Sequence, residues 1–278
     1  MKQILITGSS GYIGSHLLKK IKDSYTVYGL DKQETQVPVN FIYGDIRNAE
    51  YLKYKDEFDC VIHLAAEMRV SESVKDPTLY YETNINGTLN VLKHIKTKNF
   101  ILASTGAAEC LTSPYGISKK AAEEIVEQFC KERGINYTIF RFYNVIGTDG
   151  IEVKNPDGLF FNLLQSKDTG IFNIFGNDYN TDDGTCIRDY VHVYEICEAL
   201  IEAVEKPSNS IESLGHGVGH SVLEIVNKFQ DINKIPIQIN FTGRRDGDLE
   251  KSVLLNVSSY MKNLYTIDDL LKLWGSLI

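Results

Sequence analysis

The sequence has no apolar stretch of 18 residues, no low-complexity tract and no CxxC pair. The first absence predicts a protein without a membrane-spanning helix. Five cysteines without CxxC spacing argue against a disulfide framework or a zinc site, and they favour free thiols in a reducing compartment. The N-terminus runs straight into a strand pattern without the charged and apolar regions of a secretion signal, so we expect a cytoplasmic protein.

An excess of positive charge is also missing. Lys and Arg number 29 against 37 Asp and Glu, which gives a formal net charge of −8. This balance argues against nucleic acid or an anionic membrane as a partner. An acidic protein that binds phosphate must use local devices, namely helix N-termini and individually placed arginines. The histidines form no convincing ligand set, and no twelve-residue calcium loop is present, so we expect no metal.

Apolar, β-branched runs alternate with amphipathic stretches through the first half of the chain. Strands are predicted near 2–7, 25–30, 39–43, 59–64, 99–104 and 135–141, and helices near 12–22, 47–55, 76–97 and 115–133. This alternation predicts an α/β fold with a doubly wound parallel Rossmann sheet. Only about eight residues link the second and third strands, too few for a crossover helix.

After Asn144 the pattern changes to short strands and turns rich in Gly, Asn and Asp. We therefore expect a nucleotide-binding domain at 1–146 and a smaller C-terminal α/β lobe at 147–278. A helix near 192–206 is expected to return to the first domain. Thr266 and Asp269 should cap a final helix.

The segment GSSGYIG at 8–14 follows an apolar strand and opens a helix. Gly8, Gly11 and Gly14 suit a tight turn, backbone approach to a pyrophosphate, and close packing of helix on strand. The spacing alone is a weak signal, and GHGVG at 215–219, assigned to a turn, looks similar. Asp31, at the end of the second strand, supplies the context, because a carboxylate there binds both ribose hydroxyls. It favours NAD over NADP, a preference that Lys32 weakens slightly.

Tyr115 and Lys119 are one helical turn apart and can point to the same side of a helix. Tyr51 and Lys55 share this spacing, but we expect them on an exposed helix. Tyr115 opens a helix after the fifth strand, close to Thr105, and ligands bind beyond the carboxyl ends of such strands. A phenol of pKa about 10 needs a pKa about 3 units lower to act as a base near neutrality. An ammonium about 4 Å away contributes roughly that much, so we expect Lys119 to lower the pKa of Tyr115.

With these motifs the chain resembles the extended short-chain dehydrogenase/reductase superfamily and, within it, the UDP-galactose (UDP-glucose) 4-epimerases. The resemblance covers most of the chain. It rests on TGSSGYIGSH at 7–16, GDIRN at 44–48, VIHLAA at 61–66, NINGT at 84–88, SPYGISK at 113–119, RFYN at 141–144, FGNDY at 175–179, DGT at 183–185, RDYVH at 188–192 and RRDGD at 244–248. The run from 175 to 192 is the part most specific to the epimerases.

The resemblance implies NAD as the cofactor. Asp45 and Ile46 would flank the adenine, residues 64–66 would line the pyrophosphate and ribose, and Thr83 and Tyr143 would approach the nicotinamide. The full implied NAD set is Gly8, Gly11, Tyr12, Ile13, Gly14, Asp31, Asp45, Ile46, Leu64, Ala65, Ala66, Thr83, Tyr115, Lys119 and Tyr143.

The resemblance also implies a UDP-sugar substrate. Tyr115 would take the proton of the sugar 4-hydroxyl while C4 gives its hydride to NAD, and Thr105 would steady the same hydroxyl. The implied catalytic set is Thr105, Tyr115 and Lys119. The implied substrate set is Thr105, Asn144, Gly158, Leu159, Asn173, Phe175, Arg188, Arg245, Asp248 and Ser252. Similar 4,6-dehydratases carry Asp-Glu after this threonine, whereas Gly106 and Ala107 follow here, which disfavours dehydration.

The chain departs from the epimerase pattern at several positions. Met68 replaces a phosphate-contacting lysine, with Arg69 as the candidate substitute. Gly158 replaces an asparagine, with Asn155 nearby, and the segment 106–114 is shortened. Ser252 aligns with a position where a bulky tyrosine limits relatives to glucose and galactose. The small residue leads us to hypothesise that UDP-N-acetylglucosamine is also epimerised.

Alternative functions stay open at this point. A UDP-uronate 4-epimerase or another NAD-dependent sugar-nucleotide enzyme shares the motifs, and a silent NAD-binding sensor is a different class that needs no proton-handling residues. The sequence leaves the natural sugar, the pathway and the retention of NAD between turnovers undecided. Helices near 76–97 and 115–133 carry apolar faces, and relatives pair them, so the resemblance implies a homodimer.

Overall fold

Strands and helices alternate through the first half of the computed structural model, which describes residues 1–54, 57–147, 158–245, 247–262 and 264–276. Its elements are β1 (Gln3–Thr7), α1 (Tyr12–Ile21), β2 (Thr26–Asp31), β3 (Asn40–Tyr43), β4 (Glu57–Phe58), β5 (Cys60–His63), α2 (Val70–Lys75), α3 (Pro77–Tyr80), α4 (Thr88–His94), β6 (Lys96–Thr97), β7 (Asn99–Thr105), α5 (Ala107–Cys110), α6 (Pro114–Arg133) and β8 (Asn136–Phe142).

The second half has shorter strands. Its elements are β9 (Asn144–Ile146), α7 (Leu159–Thr169), β10 (Ile171–Phe175), β11 (Ile187–His192), α8 (Val193–Glu205), β12 (Ile211–Leu214), β13 (Gly219–Ser221), α9 (Val222–Asn233), β14 (Gln238–Thr242), β15 (Lys251–Ser252) and α10 (Ile267–Ser276).

A seven-stranded sheet with the order β12-β8-β7-β5-β1-β2-β3 carries the first half. The strands from β8 to β3 are paired in parallel. Strand β5 is fully buried and β1 almost fully, as expected for strands covered on both faces. The predicted parallel Rossmann sheet is confirmed.

The short link between β2 and β3 behaves as the sequence predicts. The two strands are parallel, with Tyr28 opposite Asn40, and the residues at 32–39 form no helix.

Two helix predictions are wrong in detail. The helix expected at 47–55 is, among its described residues, a 3-10 turn at Ala49–Leu52, because the backbone at Lys53 leaves the helical region. The helix expected at 76–97 is interrupted by a π-helical segment, Tyr81–Gly87, between α3 and α4. The helix predicted near 115–133 is confirmed as α6, which starts at a Ser113 cap and ends at a left-handed Gly134.

Residue contacts divide the chain into two units. The first comprises Met1–Phe142 with Cys197–Glu212, and the second comprises Tyr143–Ile196 with Ser213–Ile278. None of the helices within the described residues has the length and apolar character needed to cross a membrane.

The second unit is built on small sheets. Strand β11 lies between β13 and β15 and also pairs with β9, and β10 pairs with β14. The GHGVG segment at 215–219 bends at a left-handed Gly217 and runs into β13, which begins at Gly219. The expected capping of α10 is present, because Asp269 N–H donates to Thr266 Oγ1 and Thr266 N–H donates to Asp269 Oδ2.

Candidate active site

The glycine turn between β1 and α1 leaves no room for side chains. Gly8 is left-handed at φ +72°, and a Cβ on it would lie 2.6 Å from the backbone nitrogen of Ala65. A Cβ on Gly14 would lie 2.3 Å from the carbonyl oxygen of Gly8. Gly11 precedes α1, and no side chain caps the helix. The N–H groups around Tyr12 and Ile13 therefore begin a helix that can receive an anion.

Asp31 ends β2 beside this turn. Its Oδ2 accepts a hydrogen bond from Ser10 N–H at 3.0 Å, and its Oδ1 accepts one from Gln33 N–H at 3.1 Å. The neighbouring Lys32 is 3.8 Å from Glu67. The carboxylate is therefore fixed at the strand end where a ribose is held in dinucleotide-binding folds.

Three buried polar side chains, Thr7, His63 and Thr88, are joined by hydrogen bonds next to the glycine turn. Thr7 Oγ1 is 2.6 Å from His63 Nδ1, and His63 Nε2 is 3.0 Å from Thr88 Oγ1, which itself donates to the carbonyl of Asn84. Burial, aided by the charge of Lys119, lowers the pKa of His63 to about 3. The imidazole is neutral and satisfied, as expected for a core residue.

Asp45 and Ile46 follow β3. Asp45 pairs with Arg47 at 2.6 Å, and this contact lowers the pKa of Asp45. Asp45 also lines a pocket of about 420 Å³ beyond the ends of β2 and β3. Ile46 is buried against Gly87, where a Cβ would come within 2.6 Å of its side chain.

Leu64, Ala65 and Ala66 follow β5, and all three are half-buried. Ala65 N–H donates to Thr7 Oγ1 at 3.3 Å, which holds this segment against the glycine turn. Thr83 lies in the π-helical segment, and its hydroxyl is buried with no hydrogen-bond partner in the described part of the chain. An unpaired buried hydroxyl and a turn without room for Cβ atoms both fit a bound dinucleotide.

The structure brings Thr105, Tyr115 and Lys119 together in the first unit. Thr105 ends β7, and its side chain forms a hydrogen bond with the Tyr115 phenol. The Tyr115 ring packs edge-on against Tyr80, with 6.3 Å between centroids. Lys119 is 4% exposed, and its ammonium takes part in none of the hydrogen bonds or ion pairs found among the described residues, although the charge of Glu123 acts on it. A phenol, a hydroxyl and an unpaired ammonium thus share the carboxyl end of β7.

The expected lowering of the Tyr115 pKa is wrong. Burial raises the pKa of Tyr115, and the hydrogen bond with Thr105 only partly opposes this. Burial also lowers the pKa of Lys119 to about 8, while the charge of Glu123 opposes that shift. Desolvation is the largest cause of both pKa shifts, and it disfavours the charged form of each group.

The alternative pair, Tyr51 and Lys55, does not form a second site of this kind in the described residues. Tyr51 is 42% exposed on the 3-10 turn, and Lys55 lies outside the described residues.

Arg188 and its neighbours form a polar group in the second unit. Arg188 Nη2 is 3.6 Å from Asp248 Oδ1, and Ser252 is the register partner of Arg188 in the β11–β15 pair. The Arg245 guanidinium lies 3.7 Å from the Phe175 ring centroid. The guanidinium groups suit phosphate, and the ring suits a planar base.

The other expected substrate residues also lie in the second unit. Tyr143, expected near the nicotinamide, falls there with Asn144, whose side-chain amide donates to Asp189 O at 3.1 Å. Gly158 precedes α7, which Leu159 begins. Asn173 is exposed on β10, and Asn155 lies outside the described residues. Met68 is 59% exposed, and Arg69 pairs loosely with Glu72 at 3.8 Å.

Three buried carboxylates, Glu123, Asp189 and Glu195, are not among the predicted site residues. Asp189 accepts hydrogen bonds from the N–H groups of His216, Gly217 and Leu254, which fixes the backbone around Arg188. Glu123 is fully buried one turn after Lys119, and its spacing from that lysine was the available signal. Within the described residues, no group of three or more His, Cys, Asp or Glu side chains could hold a metal ion.

The Rossmann sheet, the glycine turn and the Thr–Tyr–Lys arrangement define a nucleotide-dependent enzyme of the short-chain dehydrogenase/reductase type. The model of the NAD dependent epimerase/dehydratase family matches residues 4–215, and the chain belongs to this family.

Two relatives share 33% identity with the chain. A UDP-glucose 4-epimerase of Haemophilus influenzae aligns over 294 residues, covering 88% of this chain and 87% of the relative. A probable UDP-arabinose 4-epimerase of Arabidopsis thaliana aligns over 296 residues, covering 88% of this chain and 72% of the relative. The crystal structure of Bifidobacterium longum UDP-glucose 4-epimerase with NAD⁺ and UDP has a TM-score of 0.87 and 26% identity, covering 99% of this chain and 97% of that one.

Proposed function

We propose that this chain is an NAD-dependent isomerase that inverts C4 of a UDP-hexose through a transient 4-keto sugar. The observation that carries the proposal is the Thr105–Tyr115–Lys119 arrangement at the carboxyl end of β7, in a fold with a dinucleotide turn. The family and the UDP-glucose 4-epimerases among its relatives support the same reaction.

The first unit supplies the cofactor site. The glycine turn and the N-terminus of α1 receive the pyrophosphate, and Asp31 receives the adenosine ribose. Asp45 and Ile46 lie on the adenine side, residues 64–66 line the pyrophosphate, and Thr83 offers its buried hydroxyl near the nicotinamide. Bound NAD supplies the hydride acceptor for C4 and the donor that restores it.

Each catalytic side chain has one task. The oxygen of Tyr115 takes the proton of the sugar 4-hydroxyl, and Thr105 holds that hydroxyl by a hydrogen bond. The Lys119 ammonium, which has no partner in the described residues, binds the nicotinamide ribose and favours the phenolate. Because burial raises the pKa of Tyr115, the phenol needs this positive charge in order to act as a base near neutrality. After the 4-keto sugar turns, Tyr115 returns the proton.

The second unit supplies the UDP-sugar site. Arg188 and Arg245 bind the diphosphate, and Asp248 orients Arg188. Phe175 and Asn173 hold the uracil, and Ser252 lies beside Arg188 where the sugar is selected. Asn144, Gly158 and Leu159 complete the set, and Tyr143 belongs to the nicotinamide side.

One assay tests the function. The purified chain with NAD is incubated in separate reactions with UDP-galactose, UDP-N-acetylgalactosamine and UDP-galacturonate, and the C4-inverted product is measured together with absorbance at the NADH wavelength. The expected result is UDP-glucose without stoichiometric NADH. Accumulating NADH would indicate a net dehydrogenase, turnover restricted to UDP-galacturonate would indicate a uronate epimerase, and NAD binding without turnover of any UDP-sugar would indicate a sensor.

A homodimer is the proposed assembly. The helical segment 77–94 and α6 carry apolar residues that their own unit leaves exposed, including Tyr81 at 36% and Ile117 at 43%. Pairing of these helices with those of a second copy would cover them. Sedimentation at micromolar concentration should give a dimer, and a monomer there contradicts this assembly. The free cysteines, four of them buried, support a reducing compartment and hence the cytoplasm.

A further inference from the structure

A buried charged cluster lies behind the catalytic side chains in the first unit. Glu123 is fully buried on α6, and Arg141 on β8 binds it through two parallel contacts, Nε to Oε1 at 2.8 Å and Nη2 to Oε2 at 2.7 Å. Ser104 Oγ donates to the same carboxylate at 2.6 Å. The third Arg141 contact, Nη1 to Glu109 at 2.9 Å, reaches the short helix α5.

This cluster connects the segments that carry the catalytic residues. Ser104 directly precedes Thr105 on β7 and is the register partner of Arg141 on β8. Glu109 belongs to the shortened segment after Thr105, and Glu123 lies one turn beyond Lys119 on α6. Movement of the strand end relative to α6 would break several charge-assisted hydrogen bonds at once.

Stability alone gives a weak reason for this arrangement. A buried ion pair costs desolvation that its attraction often only balances, so an apolar cluster would hold the same elements together. What an apolar cluster cannot supply is a negative charge next to Lys119. Lys119 is almost fully buried, and burial disfavours its charged form.

We propose that Glu123 is a positioning residue for the 4-epimerase reaction: its carboxylate keeps the Lys119 ammonium charged and, with Arg141, fixes the strand end that carries Thr105. The proposal rests on the proposed function. It also accounts for the carboxylate's place on the same helix face as Lys119.

The other groups around Lys119 fit this role. On its own helix, Tyr115 is neutral while protonated, since burial raises its pKa, and it is the phenolate only in the form that accepts the proton. Lys120 approaches Glu123 only at 3.8 Å. From β5, the neutral His63 contributes no charge, since its pKa is about 3. Arg141 is positive but is held by both Glu123 and Glu109, and these contacts raise its pKa. Glu123 is the anionic group that favours the ammonium.

The test is the pH dependence of kcat for the full chain with NAD and UDP-galactose. In Glu123→Gln the Lys119 ammonium loses its stabilising charge, so the alkaline limb of kcat should move to lower pH by about one unit. KM for UDP-galactose should change less than twofold, because Glu123 touches no substrate. The matched control is Glu124→Gln, the same change at an exposed neighbour, which should leave the limb in place.

Two further variants separate charge from shape. Glu123→Asp keeps the charge and should keep the wild-type limb even where kcat falls. Arg141→Gln removes the positive charge that binds the Glu123 carboxylate, so the alkaline limb should move to higher pH. The direction of the shift therefore remains testable if Glu123→Gln fails to fold. An unchanged limb in Glu123→Gln, or equal limbs in the Gln and Asp variants, overturns the proposal. An inactive wild type refutes the proposed function instead.

Discussion

The backbone N–H of Ser10 donates a hydrogen bond to Asp31 Oδ2, with 3.0 Å between the two atoms. This contact joins the glycine turn after β1 to the end of β2, so one side chain fixes the two segments that we propose for the pyrophosphate and the ribose. The carboxylate is thereby held in place before any cofactor binds.

Removal of the Asp31 charge should weaken the choice of NAD over NADP. Asp31→Asn keeps an acceptor for Ser10 N–H but no longer repels a 2′-phosphate, so we expect the preference for NAD to fall about tenfold, since hydrogen bonds to charged groups contribute about 1.5–3 kcal/mol. Titration with NAD and NADP gives the two dissociation constants. Asp23→Asn, at an exposed position, should keep the wild-type ratio, and an unchanged ratio in Asp31→Asn would contradict the assignment.

Loss of the Tyr115 phenol should remove catalysis and spare binding. Tyr115→Phe keeps the ring against Tyr80 but has no oxygen for the proton, so kcat should fall by about 10²–10⁴. UDP-galactose turnover and NAD affinity are measured on the same preparation. Tyr25→Phe, which loses only a surface contact with Glu205, should retain full kcat. Full activity of the Tyr115 variant would exclude the tyrosine as the base.

Lys119→Met should move the pH optimum to higher pH. The wild-type ammonium is charged below its pKa of about 8, and in the proposed mechanism this charge favours the phenolate. Without that charge the pKa of Tyr115 rises further, so the acid limb of the rate profile moves to alkaline pH. The pH profile of kcat over pH 5–10 checks this, with Lys120→Met as the control. An identical profile would remove Lys119 from this role.

Ser252 should determine the tolerance for N-acetylated sugars. The wild type is expected to turn over UDP-N-acetylglucosamine and UDP-glucose at comparable rates. Ser252→Tyr places a ring beside Arg188 and should lower the first rate more than tenfold, since an overfilled pocket costs about 1–3 kcal/mol. Ser252→Ala should keep both rates. No detectable turnover of the acetylated sugar by the wild type would refute this hypothesis.

Local patterns in the sequence were sufficient to predict the strand and the helices that carry many of the candidate site residues. The apolar strands, the glycine spacing and the amphipathic stretches predict β1, α1 and α6, because each depends on neighbouring residues alone. The π-helical segment with Thr83 was not predicted, because the apolar spacing of residues 76–97 indicates a single regular helix.

The burial of charged groups in the site and the pKa shifts that follow from it could not be predicted from the sequence. A glutamate on an amphipathic helix looks exposed in the sequence, and only its partner Arg141, 18 residues further on, identifies Glu123 as buried. The sign of the Tyr115 pKa shift likewise depends on burial, which residue spacing does not report.

The sealed imidazole of His63 makes this fold sensitive to acid. An unfolded chain binds a proton on this histidine near pH 6.5, whereas the native ring, enclosed by Thr7 and Thr88, resists protonation down to about pH 3. Between these values the denatured state takes up the extra proton. The contribution of this residue to folding free energy is therefore complete above about pH 6.5 and shrinks as the solution is acidified towards pH 3.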